Sequence, residues 1–225
     1  PSAVVPGVLL VHGWDGSQDQ YIARAHEIAV LGCICLTIDL RGHARHVDQR
    51  HAVTREHNLR DVLAAYDELV RHPAVDPASV AIVGSSYGGY LAALLGKLRP
   101  GRGVPLRAPA LYRDDKWSQP KGQLDPEDLK AYRQTVIEPS HNRALAACSE
   151  FRGDVLIVES EHDRTIPPAV IKNYVNAFRQ VRSITYRVLS AADHALSDDV
   201  MRQAYGQQLL GWMGEMVKGA RAVKA

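Results

Sequence analysis

The sequence is short of several things, and each shortage removes a class of function. Neither charge is in marked excess: 27 Lys and Arg stand against 25 Asp and Glu, a formal charge of +2 over 225 residues. Such a chain carries no broad basic field for nucleic acid, and no acidic field either. Nowhere does it hold the roughly 20 successive apolar residues that cross a bilayer. Its start, Pro1 to Gly7, lacks the basic flank and apolar stretch of a signal peptide. The one dense run of glycines, around Gly84 to Gly89, is not followed by the Gly-Lys-Ser/Thr of a phosphate loop. Cysteine is scarce too. Cys33 and Cys35 sit two apart in an apolar run and should share a strand face, where bonding them would distort the backbone, and Cys148 is left over. Reduced thiols and a cytoplasmic setting are expected, with no nucleic-acid or membrane partner.

What is present is ordinary globular composition, 46% hydrophobic and 23% charged. Neither a repeat nor a linker divides the chain, so one domain over residues 1–225 is expected. Short apolar runs recur at Gly7–Val11, Cys33–Ile38, Val80–Val83 and Val155–Val158. They lack alternation, as strands buried on both faces do. Ile184–Leu189 reads as a further strand and Gly103–Arg107 as a weaker one. Helix-period segments lie between them at Gln18–Val30, Arg55–Val70, Tyr87–Leu98, Pro168–Arg179 and Ser197–Val217, the last with Ser197 as its cap. The alternation predicts an α/β fold, a mostly parallel central sheet with helices on both faces. Residues 109–140 break the rhythm. They are polar, hold four prolines and one short helical stretch (Pro126–Arg133), and read as a lid-like insertion. The end, Lys218–Ala225, reads as a frayed tail.

Gly84-Ser85-Ser86-Tyr87-Gly88 matches G-x-S-x-G and falls between an apolar strand and an apolar helix. A turn that tight strains its central serine, and the flanking glycines remove the clashes that would forbid it. Ser86 would then stand exposed at the strand's C-terminal end, beneath the first amides of a helix. A nucleophilic serine needs a base, and the base an orienting acid, in the chain order Ser, Asp/Glu, His for this motif. Asp163 lies past the end of the Val155–Val158 run, and His194 past the end of Ile184–Leu189. Glu159, Glu161 and Asp193 compete with Asp163; Asp193 adjoins His194 in sequence, so its side chain should diverge. The oxyanion donors are expected to be the backbone N–H groups of Tyr87 and of Trp14, in the His12-Gly13-Trp14 turn after the first strand. His12 is read as shaping that turn through backbone hydrogen bonds. The Trp14 indole either walls an acyl pocket or belongs to the core.

These residues resemble the α/β-hydrolase superfamily along nearly the whole chain. His12-Gly13-Trp14 is similar to its oxyanion turn and Asp39-Leu40-Arg41-Gly42-His43 to its D-x-R-G-H segment. The resemblance implies that Asp39 and His43 are scaffold residues. It also points to small esterases and the catalytic domains of acyl-peptidase-like serine hydrolases. The chain departs from the family in beginning at what would be the third strand, without the antiparallel hairpin, and in an insertion shorter than a lipase-type cap. A sheet edge exposed by that missing hairpin suggests a homodimer.

Elsewhere the signals are weaker. His43, His46, His51 and His57 share a polar loop, but their spacing fits no familiar metal set, and they read as solvated. Asp114, Asp115 and Lys116 read as a solvated turn. Tyr112, Trp117 and Tyr132 either line a pocket or anchor the insertion. The expectation is a cofactor-free serine hydrolase acting on a small-molecule acyl substrate, a carboxylic ester first. Amide, acyl-peptide or thioester hydrolysis on the same triad, or a non-catalytic ligand-binding relative, are the alternatives.

Overall fold

The computed structural model describes residues 4–222. Six strands form one sheet in the order β2-β1-β3-β4-β5-β6, every pairing parallel: β1 (Val5–Val11), β2 (Ile34–Thr37), β3 (Val75–Ser85), β4 (Gly103–Arg107), β5 (Asp154–Ser160) and β6 (Ser183–Leu189). The weak Gly103–Arg107 signal is thus a central strand. The helices are α1 (Asp19–Ala29), α2 (Arg55–Arg71), α3 (Tyr87–Leu98), α4 (Pro126–Tyr132), α5 (Arg143–Glu150), α6 (Pro168–Ala177) and α7 (Asp199–Ala222). α5 and a 3-10 segment at Ala44–Gln49 were not expected from the sequence.

Period-two alternation along β1 splits its side chains between two cores. Leu9 and Val11 face one with Val62 of α2, Leu91 of α3, Leu145 of α5 and Ile171 of α6. Val8 and Leu10 face the other with Ile28 of α1 and Leu209 of α7. Both faces of the sheet are therefore covered, which is why its central strands read as unbroken apolar runs. Cys33 and Cys35 pack on the α1/α7 side together, and no disulfide joins any of the three cysteines among the described residues. No helix among the described residues is long and apolar enough to cross a membrane. The edge strand β6 leaves Ile184, Tyr186 and Val188 partly exposed.

Three local expectations change. α7 is capped by Asp198, whose Oδ1 accepts from Val200 N (2.6 Å), while Ser197 turns back to Asp193. The expected frayed tail is helical through Ala222, and residues 223–225 lie outside the described part. His43 is buried rather than solvated.

Residues 109–140 hold little regular structure beyond α4 but are tied at several points. Arg133 Nε donates to the Leu111 carbonyl and its guanidinium to that of Thr165. Asn142 Nδ2 donates to the Tyr112 carbonyl (2.8 Å) and the Tyr132 hydroxyl (3.0 Å). Asp114 accepts from the Arg143 amide at the start of α5, so it is not a free surface turn. Tyr112 packs edge-on against Tyr87 and Tyr90, and Trp117 lies under Arg55 and Arg143, so these aromatics anchor the segment.

Leu9 is fully buried at the centre of the sheet. Leu9→Ala is expected to cost about 2–5 kcal/mol of stability in urea unfolding, with the slope against denaturant unchanged.

Candidate active site

Ser86 sits at the junction of β3 and α3 with φ 52° and ψ −117°, outside the regions an L-residue normally occupies. Backbone contacts hold it there. Its N–H donates to the Arg107 carbonyl (2.9 Å), and its own carbonyl accepts from Tyr90 N (3.1 Å) and Ala110 N (2.9 Å). The turn closes only because its glycines lack side chains. A Cβ on Gly84 would lie 2.4 Å from the Gly88 carbonyl oxygen, and one on Gly88 2.2 Å from that of Val11.

Two loops bring the other candidates to this point. Asp163 follows β5, and its Oδ1 accepts from the amides of Thr165 (2.8 Å) and Ile166 (2.7 Å). Those two amides are a feature the sequence did not disclose; they fix the carboxylate so that Oδ2 is left for His194. The His194 loop follows β6 and is pinned to the Asp163 loop by His162 N donating to the Ala192 carbonyl (2.9 Å). His194 Nδ1 stands 2.7 Å from Asp163 Oδ2, and Nε2 stands 3.0 Å from Ser86 Oγ. Ser86, His194 and Asp163 thus form one continuous hydrogen-bonded chain. Asp163 is buried and His194 partly open.

The competing acids are engaged elsewhere. Asp193 accepts from Ser197 N (2.8 Å) and Oγ (2.6 Å), diverging from its neighbour as expected. Glu161 accepts from Ala191 N (2.7 Å), and Glu159 from the Tyr186 hydroxyl.

Trp14 and Tyr87 lie side by side, ring centroids 5.4 Å apart and perpendicular. No hydrogen bond to another group of the chain engages the backbone N–H of either among the described residues. Trp14 is clamped between cations, with Lys121 Nζ 3.9 Å and Arg50 Cζ 4.4 Å from its ring centroids. Burial pulls the Lys121 ammonium below the usual lysine range. His12 does shape this turn. Its Nε2 accepts from Leu40 N (3.1 Å), so Nδ1 carries the proton and donates to the Gly13 carbonyl (2.8 Å). Burial lowers its pKa and favours this neutral form. His43 packs on Trp14 (4.6 Å between centroids), and burial pulls it down to about 4. Asp39 accepts from the backbone and side-chain nitrogens of Gln18 (2.9 Å each), away from Ser86's hydrogen-bonded chain.

A second residue escaped the sequence reading. Arg107, at the end of β4, donates through Nε to Ser85 Oγ (3.1 Å) and through one guanidinium nitrogen to the His194 carbonyl (2.9 Å). A charged residue closing an otherwise apolar strand was the available signal.

Two outcomes follow. Gly88→Ala places a methyl inside the Val11 carbonyl, and is expected to abolish soluble folded protein or lower the thermal midpoint by well over about 10 °C. His43 has its pKa lowered by folding, so its contribution is complete above the unfolded value of about 6.5 and is lost as pH falls from there toward 4. Urea unfolding between pH 7 and pH 5 should therefore lose more stability in the wild type than in His43→Asn.

Comparison with known proteins agrees with this architecture. The family model for serine aminopeptidase, S33, matches residues 3–136. No curated protein matches the chain. Among solved structures, one from a report on LipS and LipT, two metagenome-derived lipolytic enzymes, superposes with a TM-score of 0.73 at 18% identity, covering 95% of each chain. Monoacylglycerol lipase of Paleococcus ferrophilus gives 0.71 at 17% identity, covering 95% of this chain and 97% of its own. Est1E of Butyrivibrio proteoclasticus, determined with ferulic acid bound, gives 0.70 at 16% identity, covering 96% and 90%. At these identities the structural likenesses speak for the fold. With the family match extending over more than half the sequence, the chain belongs to the serine aminopeptidase S33 family, within the α/β-hydrolase superfamily.

Proposed function

We propose that the chain is a serine hydrolase that cleaves carboxylic esters of small-molecule acyl substrates through an acyl-enzyme. The observation that carries this reading is the continuous hydrogen-bonded chain from Ser86 Oγ through His194 to Asp163, at 3.0 and 2.7 Å. Ser86 attacks the acyl carbonyl while His194 Nε2 takes its proton. Asp163 keeps the imidazole in the tautomer with Nδ1 protonated, and stabilises it when charged. The carbonyl oxygen gains negative charge and is met by the N–H groups of Trp14 and Tyr87, which bond no other group among the described residues. The Lys121 ammonium over the Trp14 ring adds positive potential beside that position. His194 then protonates the leaving oxygen, and a water activated by the same imidazole releases the acid. The lipolytic and esterase relatives named above support an ester over other acyl groups.

The family's description favours one second reading, hydrolysis of an amide or N-terminal peptide bond on the same three residues. It differs in requiring protonation of a poorer leaving group. Matched p-nitrophenyl ester and p-nitroanilide substrates separate the two.

A fluorophosphonate probe should add one adduct to the wild type, read by mass, and none to Ser86→Ala or His194→Ala. Asp163→Asn should retain Ser86 but lose about 10⁴-fold in kcat, because the imidazole loses the tautomer it needs. A folded wild type that takes no adduct would overturn the reading in favour of a binding protein.

A further inference from the structure

Behind the triad, on the α1/α7 face of the sheet, lies a cavity of about 290 Å³. Three arginines line it, Arg24, Arg107 and Arg202, with Tyr21, Tyr205 and Ser85, and no carboxylate belongs to the lining. Arg107 is only 7% exposed. It donates to Ser85 Oγ, Ser160 Oγ and the His194 carbonyl, all formally neutral, and no ion pair joins it to a carboxylate among the described residues. Asp193, the nearby acid that feels its charge, is committed to Ser197.

A buried guanidinium without a counter-charge is costly, and buried charges are as a rule paired. The partners of the other two arginines leave this one uncompensated. Arg24 pairs with Glu27 and Arg202 with Asp199, both at the open surface. The guanidinium carbons of Arg24 and Arg107 lie 5.9 and 5.8 Å from the centroid of the same Tyr205 ring, and all three residues line the one cavity. Burial raises the Tyr21 and Tyr205 phenols, Tyr205 to about 12, so both stay protonated, and both lie in hydrogen-bonding contact with Ser85. The lining thus offers donors and positive charge, in the planar forks that match an oxyanion.

We propose that this cavity is a binding site for a small oxyanion, a carboxylate or phosphate group, seated against Arg107 and held by Arg24 and Arg202. The site is separate from Ser86 but mechanically joined to it. Arg107 bonds the His194 carbonyl and the serine beside the nucleophile, and the His194 loop is flanked by Ala191 (φ 60°) and Leu196 (φ 52°), two non-glycine residues in the left-handed region. An occupant that orders Arg107 therefore orders His194. This coupling rests on the catalytic role proposed for His194; the binding does not.

The test is thermal unfolding of the intact chain in inorganic phosphate and, separately, in acetate, against chloride at equal ionic strength, beside kcat and KM on a p-nitrophenyl ester. The expected result is a saturable rise in midpoint with one of the two anions. Half-saturation should weaken by about tenfold or more in Arg107→Gln, and by several-fold in Arg202→Gln. The second variant removes a half-exposed side chain, so folding is not at risk if Arg107→Gln fails to fold. A stronger response to phosphate assigns a phosphate group, and a stronger response to acetate assigns a carboxylate. kcat should change with the same midpoint while KM stays constant. Stabilisation without a change in kcat would keep the site and overturn its coupling to His194. Equal midpoints in all three salts, or phosphate and acetate binding unaffected by Arg202→Gln, would overturn the site itself. A chain with no esterase activity would defeat the proposed function, while the unfolding arm would still decide the site.

Discussion

The arrangement depends on one residue held in a conformation it would not choose. Ser86 keeps its left-handed φ because three backbone hydrogen bonds over-determine it and because Gly84 and Gly88 let main chain pass where side chains would collide. Such a conformation costs about 1–3 kcal/mol, which the packed core around it must offset. The same residue links β3 to α3, and its hydroxyl meets His194 Nε2 (3.0 Å). The turn that follows β1 and carries Trp14 is bound to this point as well, since Gly88 lies against the carbonyl of Val11, at the end of β1.

The sheet brings the remaining groups to the serine without needing any of them near it in sequence. β5 and β6 run in parallel register up to Ser160 opposite Leu189. Their loops then leave the sheet together, joined by the His162–Ala192 bond, so Asp163 and His194 arrive as a pair. Positive charge surrounds the result. Lys121 and Arg50 flank Trp14 in front, and Arg107 supports the His194 loop from behind. None of these bonds Asp163, which leaves its Oδ2 to His194.

Much of this was legible because the physical causes are local. Central strands covered on both faces must be apolar throughout, so β1, β3 and β5 declared themselves. The serine turn was legible because its backbone geometry demands glycines at fixed spacing. Asp163 and His194 were legible because each falls just past a strand end. The failures have causes too. α5 is eight residues long, rich in alanine and set in a proline-bearing polar stretch, so its period was too short to register. Its Asn142 cap, which accepts from Ala144 and Leu145, was the one available sign. The burial of His43 and the reach of Arg107 across three strand ends are tertiary facts. Their partners are supplied by other strands and loops, and only the charge that closes apolar β4 hints at Arg107.

The segment 109–142 is fastened to the rest of the chain by Arg133, which donates to the Thr165 carbonyl, and by Asp114, which accepts from the Arg143 amide at the start of α5, and its Tyr112 is built into the α3 core. Opening it would break buried hydrogen bonds and expose aromatic surface together. Displacing this segment therefore carries a double cost, in lost hydrogen bonds and in apolar surface exposed to water.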